Sequence, residues 1–255
     1  MSAPLLPRRR VLGGMAAATS GLLVAGCDRL NGSDGFRSAL RLGEKLNYAA
    51  QRLVTDRAAL AREFSAADLS PVFRANGNTM PVAPAYQAHV ASGFADWRLA
   101  VDGLVARPLS LSLAQIRALP ARTQITRHDC VEGWSAIGKW TGLPLRLVLQ
   151  QAGLSNRARF IVFHCADSFG AAPYYESIDL IDAFHPQTIL AWGMNDQTLL
   201  VAHGAPVRLR VERQLGYKQA KYVMRIEARE RLDDLHGGKG GYWEDGHGYQ
   251  WYAGI

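Results

Sequence analysis

Several stretches of this 255-residue chain carry hydrophobic residues at the spacing of β-strands. Apolar side chains alternate with other residues over residues 97–101 and over residues 207–211, and this period of two predicts strands with one buried face. A continuous apolar run over residues 160–163 predicts a strand of the buried type, and a further strand is predicted over residues 223–228. Residues 71–84 contain three prolines and two breaks of the Asn-Gly type, which interrupt helices and strands, so this segment is predicted to be a loop.

Helical spacing occurs in three other stretches. Apolar residues recur at helical intervals over residues 36–64, which predicts an amphipathic helix or a broken pair of helices. Ser112 opens a capping-box sequence and predicts a short helix that ends near Pro120. Another helix is predicted over residues 144–152, with Gly153 as its stop. Because strands and helices are mixed without a regular βαβ rhythm, we expect an α+β fold.

The first residues have the pattern of an export signal. Arg8 and Arg9 precede a small-residue apolar stretch over residues 11–26, which is too short and too rich in glycine and alanine to span a bilayer stably. Cys27 ends a sequence that resembles the lipobox of bacterial lipoproteins, with an ordinary signal cleaved nearby as the alternative. Asp28 resembles the retention signal of inner-membrane lipoproteins. We expect export by the twin-arginine machinery and a lipid anchor on the periplasmic side of the inner membrane, or else a soluble periplasmic protein.

These patterns predict three regions. Residues 1–27 are the twin-arginine signal with its possible lipobox, residues 28–70 are a tether and an N-terminal helical segment, and residues 71–255 are one large domain. The composition, 48% hydrophobic and 20% charged, is that of an ordinary soluble globular protein. The net charge of +7 includes the arginines of the signal, and lysines and arginines form no block interleaved with aromatic residues. We therefore expect no nucleic-acid partner.

A lone cysteine lies in the most unusual segment of the sequence, residues 127–135, directly after a short β-type run. Gly133 and Trp134 follow Cys130 within four positions, so the segment is too bulky and too broken to be simple core filling. A cysteine in this setting is a nucleophile, half of a disulfide or a metal ligand. Cys165 could pair with it in an oxidising compartment. A zinc site is a further alternative, with His128, Cys130, His164 and Cys165 as the four candidate ligands. The spacing is poor for it, because the adjacent side chains of His164 and Cys165 would face opposite sides of a strand.

A second candidate cluster carries positive charge. On an alternating strand Arg208, Arg210 and Glu212 would share one face, and this face is either solvated or part of an anion site. In the second interpretation Arg208 offers a planar fork for a phosphate, and Lys218 or Lys221 adds a point charge. The pattern alone leaves both interpretations open.

Taken together, these motifs resemble those of the sulfite oxidase family of molybdopterin-dependent oxidoreductases, and in particular its bacterial, twin-arginine-exported members. The similarity extends from about residue 73 to residue 224 with order and spacing kept. The motifs that carry it are Cys-Val-Glu-Gly-Trp at 130–134, Leu-Ala-Trp-Gly-Met-Asn at 190–195, His-Gly-Ala-Pro-Val-Arg at 203–208 and Gly-Tyr-Lys-Gln-Ala-Lys at 216–221. The resemblance implies that residues 71–255 are a molybdopterin-binding catalytic domain of mixed β-sheets with surrounding helices.

The resemblance also assigns roles to individual residues. Cys130 would be the thiolate ligand of molybdenum and a catalytic residue, since a soft thiolate suits this metal. Arg74 would lie near the metal, and Tyr174 would be an active-site tyrosine, with Tyr175 as a competitor for that role. The positions that the resemblance assigns to binding of the molybdenum–molybdopterin cofactor are Asn76, Cys165, His203, Arg208, Gln219, Ala220 and Lys221.

The implied reaction is a two-electron oxygen-atom transfer on a small sulfur or nitrogen oxo substrate, either sulfite oxidation or sulfoxide reduction. The sequence has no Cys-x-x-Cys-His haem site and no iron–sulfur spacing, so electrons would pass through a separate cytochrome or a membrane haem subunit. Two alternatives are a non-catalytic lipoprotein that reuses the fold for binding and a small exported domain stabilised by zinc or a disulfide.

Overall fold

The computed structural model describes residue 30 and residues 32–255. The described chain divides into two units, with the boundary after Val54. The predicted export signal and lipobox, including Cys27, lie outside the described residues. Within the described part, no helix is long and apolar enough to cross a membrane.

The first unit contains helix α1 (Asp34–Val54). The amphipathic pattern predicts helical structure as far as residue 64, and the structure shows that this prediction is too long. Asp56 accepts a hydrogen bond from the backbone N–H of Ala58 through its carboxylate, at 2.9 Å. Such a local side-chain bond offers the backbone an alternative to the helical ladder, so the chain turns just after α1 ends.

The second unit, residues 55–255, contains ten strands and five α-helices. The strands are β1 (Arg98–Gly103), β2 (Leu109–Ser112), β3 (Arg122–Asp129), β4 (Ser135–Pro144), β5 (Phe160–Phe169), β6 (Ala172–Asp179), β7 (Ile189–Met194), β8 (Gln197–Thr198), β9 (Arg208–Arg210) and β10 (Val223–Arg229). The helices are α2 (Pro84–Ala91), α3 (Leu113–Ala118), α4 (Leu145–Ala152), α5 (Leu180–Ala183) and α6 (Tyr242–His247).

The strands form two sheets, of which the first is mixed and the second is antiparallel throughout. The first sheet has the order β2-β1-β10-β5-β6, in which β1 and β10 are parallel and the other neighbours are antiparallel. The second sheet has the order β3-β4-β7-β8, and β9 pairs with β7. The combination of these sheets with short helices confirms the predicted α+β fold.

Local sequence signals account for several of these elements. The Ser112 hydroxyl accepts a hydrogen bond from the backbone N–H of Gln115 at 3.2 Å, and the Gln115 side chain accepts one from the N–H of Ser112 at 2.8 Å, so α3 has the predicted capping box. Helix α4 ends as predicted at Gly153, whose φ of 70° is left-handed. These predictions succeed because each depends on residues within one or two turns.

The main core combines buried side chains of both sheets with helix α4. Leu99, Ile161, Phe163 and Ile226 of the first sheet are fully buried and belong to one cluster with Val148 of α4. The second sheet contributes Leu143, Leu190 and Leu209 to the same cluster. Burial of each such side chain contributes about 1.5–3 kcal/mol. The second sheet has its own small cluster around Trp140. The two sheets thus give rigid supports to the loops at their ends.

Candidate active site

Cys130 lies at the tip of a β-hairpin. Strands β3 and β4 pair in antiparallel register from Arg122 opposite Gly142 to Asp129 opposite Ser135, which leaves residues 130–134 as the connecting loop. The backbone N–H of Cys130 donates to the carbonyl of Trp134 at 2.9 Å and closes this loop. The hairpin therefore holds the thiol at a half-exposed position directly after a strand.

The loop of residues 73–78 lies beside this thiol. The Asn76 side chain donates to Cys130 Sγ at 3.3 Å. The Lys221 ammonium donates to the carbonyls of Asn76, at 2.7 Å, and of Asn78, and also to that of Ala202 at 3.1 Å. Lys221 thus clamps the loop against the segment that follows β8. The sequence predicted that Lys221 binds a phosphate. It did not predict the contact of Lys221 with Asn76, which lies 145 positions earlier in the chain.

A cavity of about 820 Å³, counting its open mouth, lies between the hairpin tip, this loop and the segment from Ala202 to Lys221. Most of the predicted site residues come together at its wall. Those that line it are Arg74, Asn76, Cys130, Tyr174, His203, Arg208, Gln219 and Lys221. The structure therefore brings together residues from five separate stretches of the sequence.

Arg208 is buried at the cavity wall. Its side chain donates to the carbonyls of His203, at 3.0 Å, and of Gln219, at 3.2 Å, and its guanidinium lies 5.1 Å from the ring centre of Trp140. Arg208 is only 5% exposed, and its strand neighbour Arg210 is fully buried, so the interpretation of a solvated strand face is wrong. Burial and the nearby Arg210 charge lower the pKa of Arg208 to about 9.

Arg210 differs from Arg208 because its charge is compensated. It donates to both carboxylate oxygens of Glu212, at 2.9 and 2.6 Å, and to His128 Nδ1 at 3.1 Å. Burial and the Arg210 charge hold the pKa of His128 well below its usual value, so this imidazole is neutral. A Cβ on Gly216 would lie 2.5 Å from His128 Nε2, so only glycine fits there. Gly216 therefore lets the Gly-Tyr-Lys motif pass directly over the histidine.

Buried polar atoms at the cavity wall lack partners among the described residues. They include Nε of Arg208 and Nδ1 of His203. A buried donor without a partner costs about 1–3 kcal/mol, so such atoms are retained where a ligand completes them. An anionic ligand fits the arginine, and a soft thiolate faces the same cavity from Cys130. A dithiolene-and-phosphate cofactor needs both features, and the residues present fit it.

The cavity also contains a residue that the sequence analysis missed. Asp167 is buried, accepts a hydrogen bond from the Asn78 side chain at 3.2 Å and leaves its Oδ1 without a partner among the residues described. Burial raises the pKa of Asp167 to about 6, although the bond from Asn78 acts against the shift. Asp167 lies two positions after Cys165 on β5. An acidic residue that continues an apolar strand is the sequence feature that could have identified it.

Positive charge at the cavity is moderated by burial. Burial and the charge of Arg208 lower the pKa of Lys221 to about 7. Burial, Arg208 and Lys221 also lower the pKa of His203, which keeps this imidazole neutral at pH 7. Arg74 is exposed at the cavity wall. The protein thus places its most exposed cation at the mouth and its buried cations deeper in the wall.

Tyr174, rather than Tyr175, faces the cavity. The Tyr174 hydroxyl donates to the carbonyl of Tyr217 at 2.7 Å, and burial together with Glu176 raises its pKa well above the usual value. Tyr175 does not line the cavity, and its hydroxyl contacts the carboxylate of Asp245. The geometry therefore separates two tyrosines that the sequence could not.

Lys218 is not part of the anion site. Its fully buried ammonium contacts the carboxylates of Glu176 and Glu244. Burial lowers the pKa of Lys218, but the two carboxylates outweigh this effect, and the net shift is upward. The prediction that Lys218 offers a point charge to a phosphate is wrong, because the ammonium is already neutralised by protein carboxylates.

Cys165 and Ala220, which the resemblance assigned to the cofactor, do not line the cavity. Cys165 packs against the main core, and burial raises the pKa of its thiol well above the usual value. Ala220 is buried in the same cluster. Both lie on segments whose neighbours do line the wall, Asp167 and Lys221.

The disulfide and zinc interpretations of the sequence are both wrong. Cys130 and Cys165 are free. Across the described residues, no three histidine, cysteine or acidic side chains are grouped so that they could hold a metal ion. His164 lies 2.9 Å from the carboxylate of Glu227, and His128 accepts from Arg210, so neither histidine faces a shared centre.

Comparisons with known proteins agree with this site. The family described as Oxidoreductase molybdopterin binding domain matches residues 86–236. A protein of Azospira oryzae provisionally named protein-methionine-sulfoxide reductase subunit YedZ1 is 35% identical over 256 residues, which cover 98% of this chain and 88% of that protein. The protein-methionine-sulfoxide reductase catalytic subunit MsrP of Campylobacter jejuni is 33% identical over 144 residues, 52% of this chain and 48% of that protein. The chain thus matches about half the length of this MsrP.

A solved structure shares the fold. The crystal structure of the sulfane dehydrogenase SoxCD from Paracoccus pantotrophus superposes with a TM-score of 0.50 at 23% identity, covering 53% of this chain and 39% of that one. The family match extends over more than half of the chain and includes Cys130, His203, Arg208 and Lys221. The chain therefore belongs to the molybdopterin-binding oxidoreductases of the sulfite oxidase family, and it is a molybdenum-dependent oxidoreductase that uses the molybdenum–molybdopterin cofactor.

Proposed function

We propose that this protein reduces a sulfoxide, and specifically methionine sulfoxide in proteins. The observation that carries the proposal is the character of the cavity wall beside Cys130. Seven aromatic residues line the wall, and Arg74 is the exposed cation that it presents. The aromatic residues of the wall are Phe73, Trp134, Phe169, Tyr174, Tyr217, Trp243 and Tyr249.

Aromatic residues beside the thiol favour an uncharged substrate whose sulfur carries apolar alkyl groups. Aromatic rings also make favourable contacts with the thioether sulfur of the product, each worth about 0.3–1.5 kcal/mol. Sulfite is a small dianion, and its binding would need several cations with free donors. Of the cations at the wall, Lys221 donates to three backbone carbonyls and Arg208 is 5% exposed. The names of the relatives, which specify protein-methionine-sulfoxide reduction, support the same direction.

Several residues of the wall would have separate roles in this reaction. Cys130 would hold the metal of the cofactor through its thiolate, while Arg208 and His203 would bind the anionic end. When bound, the cofactor supplies two-electron oxygen-atom exchange. Reduction of a sulfoxide to a thioether and water takes up two electrons and two protons. Asp167 can hold a proton on Oδ1, an atom that has no partner within the described part of the chain.

The test compares two substrates with the same cofactor-loaded enzyme. We expect turnover of peptide methionine sulfoxide with a reduced viologen, and much slower turnover of sulfite with an oxidised acceptor. Cys130→Ser is expected to lower sulfoxide turnover by about 100-fold or more, since changes around a metal ligand already cost 10–100-fold. Cys165→Ser, at a partly buried cysteine that does not line the cavity, is the matched control and should keep its activity. Faster sulfite oxidation would contradict the proposal.

We further infer that the protein works on the periplasmic side of the inner membrane beside a separate haem-containing electron partner. Arg8 and Arg9 support export by the twin-arginine machinery, and Cys27 supports a lipid anchor. An anchor would raise the concentration of enzyme around a membrane-bound partner. Fractionation tests this localisation, because Cys27→Ala should lose the acyl group and increase the soluble share. An unmutated protein without an acyl group would contradict the lipid anchor.

A further inference from the structure

Helix α1 has an apolar half and a polar half. At about 100° of rotation per residue, its apolar and small residues all fall within one half of the helix circumference. These residues are Gly35, Phe36, Ala39, Leu40, Leu42, Gly43, Leu46, Ala49, Ala50, Leu53 and Val54, and Asn47 is a polar residue that shares this half. The large aliphatic side chains among them are exposed, with Leu46 61% and Leu53 86% accessible to solvent. Such an exposed apolar surface marks an interaction site.

The polar half of α1 carries positive charge. Residues 34–54 contain four basic and two acidic residues, and Lys45 and Arg52 lie on the polar half of the helix. The Arg52 guanidinium lies 5.5 Å from the ring centre of Tyr48, on the same half of the helix. This combination of a wide apolar half with a cationic half is typical of helices that lie in a membrane interface.

The width of the apolar surface distinguishes a flat surface from a single helical partner. Leu40 and Leu42 are two positions apart, so they lie about 160° apart around the helix axis. A second helix covers a narrow seam and could not bury both leucines at once. Small residues occupy the middle of the apolar half, at Ala39, Gly43 and Ala50. A flat apolar phase covers the whole half, including its two leucine edges.

We propose that α1 binds the surface of an anionic phospholipid membrane and lies parallel to it. Its leucines would enter the acyl boundary, and its lysine and arginines would attract the anionic headgroups. This binding does not depend on acylation of Cys27, and it does not depend on the identity of the substrate. It would give the chain a second attachment to the bilayer, seven positions after that cysteine.

The experiment uses the full chain with Cys27→Ala, so that no acyl group contributes, and measures co-sedimentation with vesicles. One set is phosphatidylcholine alone, and the other is phosphatidylcholine with phosphatidylglycerol in a two-to-one ratio. We expect binding to the anionic vesicles that weakens at high salt. Leu46→Glu with Leu53→Glu should lower the partition coefficient at least about tenfold. Lys45→Glu with Arg52→Glu should remove most of the preference for anionic vesicles.

Leu60→Glu is the matched control, because Leu60 is an exposed leucine outside the helix and its change should leave binding unaltered. Circular dichroism checks that the variants keep their helix content, and sulfoxide turnover in solution is measured on the same samples. Equal binding by the leucine variant and the parent would overturn the proposal. The proposal would also be overturned if the parent bound no vesicles and instead formed a stable dimer that the leucine variant does not form. If none of the samples reduced the sulfoxide, the proposed substrate would be contradicted, and the vesicle-binding result would still test the proposal on α1.

Discussion

Two buried cations in the same short segment have different surroundings. Lys218 contacts the carboxylates of Glu176 and Glu244, so its charge is neutralised within the protein. Arg208, ten positions earlier, has two carbonyl partners but no carboxylate partner in the described structure, and its Nε is unpaired. Both side chains are buried to a similar degree. The difference therefore lies in charge compensation and not in solvent exposure.

This comparison separates structural cations from ligand-binding cations. Removal of a charge from water costs several kcal/mol, and the cost is recovered when an opposite charge lies close by. At Lys218 the protein supplies the opposite charge, and the cluster acts in folding. At Arg208 the opposite charge must come from a bound anion, which in this family is the cofactor. The same comparison predicts which variants change stability and which change cofactor content.

The largest effect is expected at the compensated cluster. Lys218→Met leaves two buried carboxylates without their cation, and the free energy of unfolding should fall by about 3–5 kcal/mol at pH 7. Urea unfolding of the cofactor-free protein measures this change. Lys239→Met, on an exposed lysine, is the control and should have little effect. If Glu176→Gln and Glu244→Gln, added to Lys218→Met, fail to recover stability, charge compensation is not the cause.

A smaller effect of a different kind is expected at Arg208. Arg208→Ala should weaken cofactor binding by about 10- to 100-fold, because a charge-assisted hydrogen bond to an anion contributes about 1.5–3 kcal/mol. The stability of the cofactor-free protein should change little. Molybdenum and pterin content per chain, measured at limiting cofactor supply, checks the prediction. Arg157→Ala, on an exposed arginine paired with Glu230, should retain full content. Equal content in Arg208→Ala would contradict a role in cofactor binding.

The smallest effect depends on pH. The pKa of Asp167 is about 6 in the folded protein against an ordinary value of 3.8, so folding takes up a proton between these values. Stability therefore falls as pH rises from about 4 to about 6, by at most about 3 kcal/mol. Asp167→Asn removes this loss and should stabilise the cofactor-free protein above pH 6 but not at pH 4.

Urea unfolding at both pH values measures the effect of Asp167→Asn. The control is Asp196→Asn, since Asp196 is exposed on a turn and forms an ion pair with Lys139 at the surface. An equal gain at pH 4 and pH 8 would show that the carboxyl of Asp167 does not titrate as the structure indicates.

The sequence predicted the parts of the molecule that depend on neighbouring residues. The capping box at Ser112, the stop at Gly153 and the strand before Cys130 each arise from local backbone preferences, and the structure confirms them. The sequence placed Cys130 after a strand, but it did not predict that the strand forms a hairpin with β4. Most of the residues that the resemblance assigned to the cofactor also lie at one cavity.

The sequence could not distinguish between similar side chains a few positions apart. Lys218 and Lys221 lie in one motif, and their roles differ because Glu176 and Glu244 come from distant elements. Asp167 was missed for the same reason, since its burial depends on packing of β5 against the rest of the wall. The predicted helix also extended beyond the end of α1, because hydrophobic periodicity does not reveal a local turn such as the one at Asp56.

The clamp that Lys221 makes also sets the order of events during synthesis. Its partner Asn76 was made 145 residues earlier, and at 5–20 residues per second about 7–30 s separate the two. Before Lys221 is added, the loop that approaches Cys130 has no ammonium to hold its carbonyls. A truncated N-terminal fragment therefore cannot form this cavity, however well its hairpin folds. Insertion of the cofactor must wait until nearly the whole chain has left the ribosome.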